Sequence, residues 1–327
     1  MTKVYFLKKI EFKKIKTVLP NFKQPLGVKV HFGERGNETF ISASVIKQIT
    51  DLLQAPTLIE CNVLYKGSRT TKIDHLEIAK QHGFNFAPID ILDGELGEKH
   101  LELSLKNCSH FNKVYIGKGL EKYNSLLVIS HFKGHISAGF GGAIKNLGMG
   151  LASRQGKLAL HASIKHQINS TKCIACGQCL ENCPVNAINW NSYHKAQINQ
   201  NLCVSCSKCI ALCSEKAIEI PWQSTKPETL QERIAEYTLA ITDRLPCFFI
   251  NFLTNITEHC DCIGQKLPLL TPDIGLLLST DPVAIDQASY DLITKHHPPF
   301  QKFKGLAQLE YGEKIGLGSK DYQLINL

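Results

Sequence analysis

The sequence has no apolar run approaching about 18 residues, the length a helix needs to cross a bilayer. Its first residues, 1–7, pass straight into charged sequence without the apolar core of a signal peptide. Membrane insertion is therefore not expected, and a soluble, cytoplasmic protein is. Basic runs with interleaved aromatics are also missing, which argues against nucleic acid as a partner. Two nucleotide-binding fingerprints fail within the glycine-rich stretch 139–150. G-x-x-x-x-G-K is broken because Ile144 precedes Lys145, and G-x-G-x-x-G/A because Ile144 occupies the third position after Gly139 and Gly141. The C-x3-C-x2-C spacing of radical enzymes that use S-adenosylmethionine does not occur either.

What the chain does have is cysteine, 13 in 327 residues. Eight fall in two runs, Cys173, Cys176, Cys179, Cys183 and Cys203, Cys206, Cys209, Cys213, each spaced C-x2-C-x2-C-x3-C. The second run repeats the first thirty residues on, and the repeat extends to Ala187-Ile188 and Ala217-Ile218. This is the spacing with which bacterial ferredoxins hold two [4Fe–4S] clusters, each half lending its fourth cysteine to the other cluster. One cluster is then expected on Cys173, Cys176, Cys179 and Cys213, and the other on Cys203, Cys206, Cys209 and Cys183. The competing readings are a zinc ribbon and a disulfide scaffold. Zinc needs one set of four ligands, not two runs of four, and disulfides need no such repeat. Pro184 follows the first run and Ser214 the second. Proline there shapes a turn and is not a ligand.

The ferredoxin-type segment, expected at 165–222, accounts for one small domain. Most of the chain must fold around a core of its own, for which 43% hydrophobic residues suffice. The five remaining cysteines, Cys61, Cys108, Cys247, Cys260 and Cys262, fit a reducing compartment. The formal charge is +8 with cysteines neutral. Eight thiolates on two cubanes would lower it to about +4.

Outside the cysteine runs the pattern alternates between strand and helix. Residues 26–31 alternate like a strand and end in the loop 32–37. Ile41, Val45, Ile49, Leu52 and Leu53 share a helical face, and residues 57–60 read as a buried strand. The next helix begins with Thr71 three residues before Asp74 and stops at Gly83. Strands are expected at 112–116, 125–130, 248–252 and 274–279, and a helix at 228–241. Asp281-Pro282 opens another helix, with the carboxylate read as a cap in preference to a catalytic group. The fold class is α/β: a mostly parallel sheet body, in segments 1–164 and 223–327, interrupted by a small α+β ferredoxin-type domain.

Two further stretches carry candidate chemistry. The strand 125–130 feeds His131, Lys133 and His135 and then a glycine-dense turn. In an open α/β sheet such a loop lies at the strands' carboxyl ends, where ligands bind. The turn could present backbone N–H groups and cations to an anion, or be a tightly packed bend with surface lysines and a capping histidine. Cys260 and Cys262, read as an extended C-x-C, would put both thiols on one face, to bind metal, act in redox chemistry or lie inert.

The combination of HFGERGN at 31–37, HFKGH and AGFGGAIKNLGMG within 131–150, the two cysteine runs, CDC at 260–262 and STDPVAIDQA at 279–288 resembles a known family. It is that of the iron–sulfur centre proteins grouped as domain of unknown function 362, in the version with a ferredoxin insert. The resemblance implies an α/β body interrupted by a two-cluster module, and no substrate. The body is also distantly similar to the lactate racemase family, which uses His and Lys around a nickel-containing cofactor. None of that family's ligands aligns to a position in this sequence.

Two functional expectations follow. In the first, a redox enzyme, the module feeds electrons to a pocket formed by the 31–37, 131–150 and 260–262 loops. There Lys133 holds a small anionic substrate, His131 or His135 moves protons, and Cys260 and Cys262 supply thiols or a metal site. In the second, the chain is a non-catalytic carrier that passes electrons or clusters to a redox partner protein. A purely structural role for the clusters is disfavoured, because one would suffice as a staple.

Overall fold

The computed structural model describes residues 1–327, the side chain of Gln223 excepted. Eight strands form one sheet. From one edge to the other they are Tyr322–Asn326, Thr2–Leu7, Gly275–Ser279, Cys247–Leu253, Ser125–His131, Leu26–Lys29, Thr57–Glu60 and Ile89–Ile91. Gly275–Ser279 runs antiparallel to both neighbours, and every other adjacent pair is parallel. The body is therefore the mostly parallel α/β fold expected from the strand–helix alternation.

The central strands are apolar at nearly every position because both faces are covered. Side chains alternate across a strand. Accordingly Leu126 and Val128 enter one core while Leu127 and Ile129 enter the other. Phe249 and Leu253 likewise oppose Phe248, Ile250 and Phe252. The first core is closed by helices Pro227–Thr242, Pro282–His296 and Ala307–Lys314, the second by Ala43–Thr50 and Lys72–Gln81. Thr71 caps its helix by accepting from the Asp74 N–H, and Gly83 ends that stretch with φ +89°. Asp281 Oδ1 accepts from the Val283 and Ala284 N–H groups at 2.9 and 3.0 Å, so it is the cap that the sequence suggests.

Three features differ from expectation. Both terminal strands lie in the sheet, although neither stands out by periodicity. The strand Lys113–Gly117 pairs with His100–Ser104 in a separate hairpin and not in the central sheet. The segment around Cys260 and Cys262 is a turn and not an extended run.

Between helix Arg154–His161 and helix Pro227–Thr242 the chain leaves the sheet. Gln167–Ile168 pairs antiparallel with Ile218–Glu219, bringing the two ends of the excursion together. Inside it, Ile188–Trp190 pairs with Ala196–Ile198, and short helices Gln178–Glu181 and Lys208–Leu212 follow the two cysteine loops.

Candidate functional site

The four strands Leu26–Lys29, Thr57–Glu60, Ser125–His131 and Cys247–Leu253 are parallel, so their carboxyl ends rise on one edge of the sheet. The loops that leave them enclose a cavity of about 380 Å³, within the usual range for small-molecule sites. His131, Lys133, His135 and Cys262 all line it. Cys260 is buried behind, joined to Cys262 by a disulfide with Cα atoms 5.3 Å apart. The turn at Asp261 brings together two sulfurs that an extended segment would have held apart.

Asp261 organises the innermost part. Its carboxylate meets His131 Nδ1 at 2.9 Å, accepts from Lys133 Nζ at 3.0 Å and from Thr39 Oγ1 at 3.2 Å. Burial would raise this carboxyl, but the adjacent His131 and Lys133 charges hold it well below the usual carboxylate range. His131 Nε2 faces the Asn255 carbonyl at 3.2 Å, so both its ring nitrogens are occupied. Lys133 is tied as well, donating to the His131 carbonyl at 2.8 Å. His131 and Lys133 are thus both held by Asp261 at the cavity wall.

A second network comes from the 31–37 loop and the segment after Thr57–Glu60. Arg69 donates through Nε to Glu34 Oε2 at 3.2 Å and through Nη2 to the Tyr65 hydroxyl at 2.9 Å, while Nη1 meets His31 Nε2 at 3.0 Å. Burial, and then the guanidinium, push His31 well below its ordinary value, so the ring is uncharged. Tyr65 is pushed up to about 12, chiefly by burial. A third pair, Lys29 with Glu60 at 3.0 Å, is fully buried beneath the cavity floor, and Lys29 also donates to Asn146 Oδ1 at 2.7 Å.

Lys145 and Lys157 complete the cationic lining, and among the described residues neither forms a salt bridge. Lys157 donates to the Gly150 and Ala152 carbonyls. Lys145 is half-buried at the wall, and burial together with the Lys133 charge pushes it down to about 7. His135 Nδ1 accepts from the Ser137 and Ala138 N–H groups at 3.2 and 3.0 Å, which makes Nε2 its proton-bearing nitrogen. Burial and Lys145 keep His135 well below its ordinary value, and His161 is pushed down to about 3 for the same reasons.

Part of the glycine turn's backbone is already engaged within the protein. The Ala143 and Ile144 N–H groups donate to Asp286 Oδ1 and Oδ2 at 2.7 and 2.9 Å. A Cβ on Gly142 would overlap Asp286 Oδ1, so the glycine is there for that approach. Gly148 and Gly150 are equally constrained, because a methyl group on either would run into the Ile234 or the Asn146 carbonyl oxygen. Two of the N–H groups expected to cradle an anion are thus already taken by Asp286, while Gly141, Gly142 and Gly150 still border the cavity beside the side chains of Lys145 and Asn146.

In the cysteine-rich segment all eight cysteines are free. Cys173, Cys176, Cys179 and Cys213 surround one small cavity, and Cys183, Cys203, Cys206 and Cys209 surround another. The thirty-residue repeat recurs in the backbone: Ala175 and Ser205, Gly177 and Ser207, and Asn186 and Lys216 pair up at positive φ. Backbone N–H groups of Ala187 and Ala217 donate to the sulfurs of Cys183 and Cys213 at 3.2 and 3.3 Å. His166 Nε2 lies 3.5 Å from Cys209 Sγ. Each set offers four thiolates, the donor number of one cubane. Among the described residues no group of His, Cys, Asp or Glu is placed to hold a single metal ion. A cubane spaces its thiolates farther apart than one ion does.

The segment touches the body in part through Leu64, which also borders the large cavity. Leu64 and Leu158 pack with Ile210 and Ile218, against which Cys179, Cys209 and Cys213 lie. Lys66 Nζ donates to the Ala211 carbonyl at 3.2 Å.

A mostly parallel α/β body with a cationic cavity at its strand ends and a cysteine-rich excursion thus defines the class. Residues 26–291 match the family model described as "Domain of unknown function (DUF362)", and the chain belongs to that family. No curated protein matches the sequence. Among solved structures, the lactate racemase apoprotein from Thermoanaerobacterium thermosaccharolyticum is similar with a TM-score of 0.40 and 11% identity, over 90% of this chain and 58% of that one. A protein from Thermotoga maritima gives a TM-score of 0.41 and 12% identity, over 94% and 60%. The chain spans less than two thirds of the length of either. Among the described residues, no helix is long and apolar enough to cross a membrane.

Proposed function

We propose that residues 165–222 form a ferredoxin-type domain holding two [4Fe–4S] clusters, inserted between body segments 1–164 and 223–327. It feeds electrons to the cavity of the α/β body, where a small anionic substrate is reduced. The observation that carries the cluster assignment is the crossed grouping of the cysteines. Each cavity is lined by three thiols of one run and the fourth of the other, the combination a two-cluster ferredoxin uses.

The charge of the body cavity supports an anionic substrate. Lys29, Arg69 and Lys133 have carboxylate partners in Glu60, Glu34 and Asp261, which leaves Lys145 and Lys157 as unmatched cations. In a cavity shielded from bulk water such charges attract a carboxylate or phosphate more strongly than they would at the surface. His135, through its Nε2–H, is the group suited to donate a hydrogen bond to the bound molecule, in preference to His131, whose nitrogens are both engaged. Leu64 packs in the cluster that covers Cys209 and Cys213 and, with Tyr65, lines this cavity.

A second reading, electron or cluster transfer to a redox partner protein, is favoured by the exposed face of the cysteine cages. Ile174 is 61% exposed, Leu202 50% and Val204 49%, beside the exposed Cys176. Exposed apolar side chains at each cysteine loop suit docking of a redox partner, whichever way the electrons then run.

The test is metal and sulfide analysis of anaerobically purified protein with EPR after reduction. About eight irons and eight sulfides with interacting S = 1/2 signals are expected. Zinc in place of iron would sink the redox reading. Turnover lost on Lys145→Met with both clusters intact supports the enzyme, whereas partner reduction unaffected by that change supports the carrier.

A further inference from the structure

The Cys260–Cys262 bond closes a ring that encloses one further residue, Asp261. In the chain-entropy account, a disulfide's contribution to stability falls with the length of the loop it closes. The smallest of loops therefore gains the least. The turn is also held without it, by the carboxylate's bonds to His131, Lys133 and Thr39 and by the Glu34 N–H on the Asp261 carbonyl at 3.1 Å. A structural staple does not account for the bond.

Its position suits a different task. Cys260 is 6% exposed, while Cys262 lies on the cavity wall. One sulfur is thus open to attack and the other shielded, an arrangement suited to reversible thiol–disulfide chemistry. The Tyr65 hydroxyl approaches the Cys262 carbonyl at 3.4 Å. Tyr65 also borders a cleft on its other side, lined by Ile210 and Ile218 of the cysteine-rich segment. Its neighbour Leu64 packs in the cluster that covers Cys209 and Cys213, one cysteine from each cage. Tyr65 and Leu64 thus connect the Cys262 side of the cavity to the cluster on which Cys209 and Cys213 pack.

Resting on the cluster assignment above, we propose that the Cys260–Cys262 disulfide is a redox-active site at the cavity wall, which collects electrons arriving singly through the cysteine-rich segment. The disulfide takes up two electrons, one from each reduced [4Fe–4S] core, and its S–S bond breaks. Both sulfurs take a proton from water in the cavity, giving two thiols, and both cores return to the oxidised state. The electrons are replaced by a low-potential one-electron donor protein. The pair converts two single-electron deliveries into one two-electron reductant beside Lys145. Asp261 stays held by His131, Lys133 and Thr39 when the ring opens, so the two thiols remain close enough to re-form the bond.

The experiment uses the full chain, purified without oxygen and mildly oxidised with a redox dye. It is then reduced stepwise with a deazaflavin photoreductant. Iodoacetamide labelling and peptide mass read the state of Cys260 and Cys262, while EPR reads the clusters. The expected result is no label on the pair in the oxidised protein and label on both after reduction. Wild type should take up about four electrons, two more than the Cys260→Ser/Cys262→Ser variant, whose EPR signals stay unchanged. A pair that is labelled in the oxidised protein, or stays closed while both clusters are reduced, overturns this proposal and leaves the cluster assignment standing. Absence of any cluster signal overturns both.

Discussion

At the scale of the residue, position relative to carboxylates separates the cationic side chains into two kinds. Lys133 is the better ligand by sequence because two histidines flank it, yet it is neutralised by Asp261 at 3.0 Å. Lys145, ten residues beyond His135 in the glycine turn, is the one left facing the cavity without an acceptor of its own. Nothing in local sequence distinguishes the two, because the deciding carboxylate sits 128 residues further along, between Cys260 and Cys262. The lowered value of Lys145 predicts a pH dependence. An anion binds the ammonium form, so affinity for a simple probe of fixed charge such as sulfate should fall several-fold between pH 6 and 8.5, following a group near 7. Calorimetry on wild type and Lys145→Met checks this, the variant binding more weakly with a flat profile. The stability sign is opposite. Burial puts the folded value below the unfolded one, so the unfolded chain binds more protons above about pH 7. This group's penalty is full below pH 7 and is relieved as pH rises toward the ordinary lysine range.

At the scale of the element, the strands and helices are legible in the sequence wherever local chemistry sets them. Thr71 and Asp281 announce their helices because an N-cap is made within three residues, and the apolar runs of Ser125–His131 and Cys247–Leu253 reflect cores on both faces. The terminal strands are not legible, since Thr2–Leu7 and Tyr322–Asn326 gain their partners only from each other and from Gly275–Ser279. The glycine turn is legible by half. Its lysine and histidine side chains do reach the cavity, but the Ala143 and Ile144 N–H groups are claimed by Asp286, 143 residues from Ala143. Burial pushes Asp286 up to about 6, and the two N–H donors oppose that shift. Gly142→Ala should therefore damage the turn even though glycine there lies outside the left-handed region. The added methyl displaces the carboxylate and leaves two buried donors unpaired, at about 1–3 kcal/mol each. Urea unfolding should show a loss of about 2–5 kcal/mol for Gly142→Ala. A loss within a few tenths would mean that Asp286 can shift without cost.

At the scale of the whole molecule, the cysteine repeat and the sheet are two foldable patterns in one chain, and their junction decides whether they are independent. The repeat is legible because both halves carry the same spacing, and the same pairs of positions adopt left-handed backbone. The contact with the body is not, because Leu64 and Leu158 meet Ile210 and Ile218 across long separations in sequence. The excursion's ends are neighbours: Gln167 faces Glu219 and Ile168 faces Ile218 in an antiparallel ladder, whose Cα atoms lie about 4.5–5.5 Å apart. A short Gly-Ser linker from Ile168 to Ile218 can close that gap without moving the body. The sheet and both of its cores involve no side chain from between those points. Replacing 169–217 by such a linker should therefore leave a body that unfolds cooperatively, with native far-UV circular dichroism. Exposing Leu64 and Leu158 should cost it about 2–4 kcal/mol, taking about 1.5–3 kcal/mol for a fully buried leucine and only part of that area lost at each. The shortened protein should still bind phosphate at the cavity, because every cation that lines it belongs to the body. It should take up no electrons from the photoreductant at the Cys260–Cys262 pair. A body that fails to fold would mean that the cysteine-rich segment completes the sheet's core instead of being inserted into it.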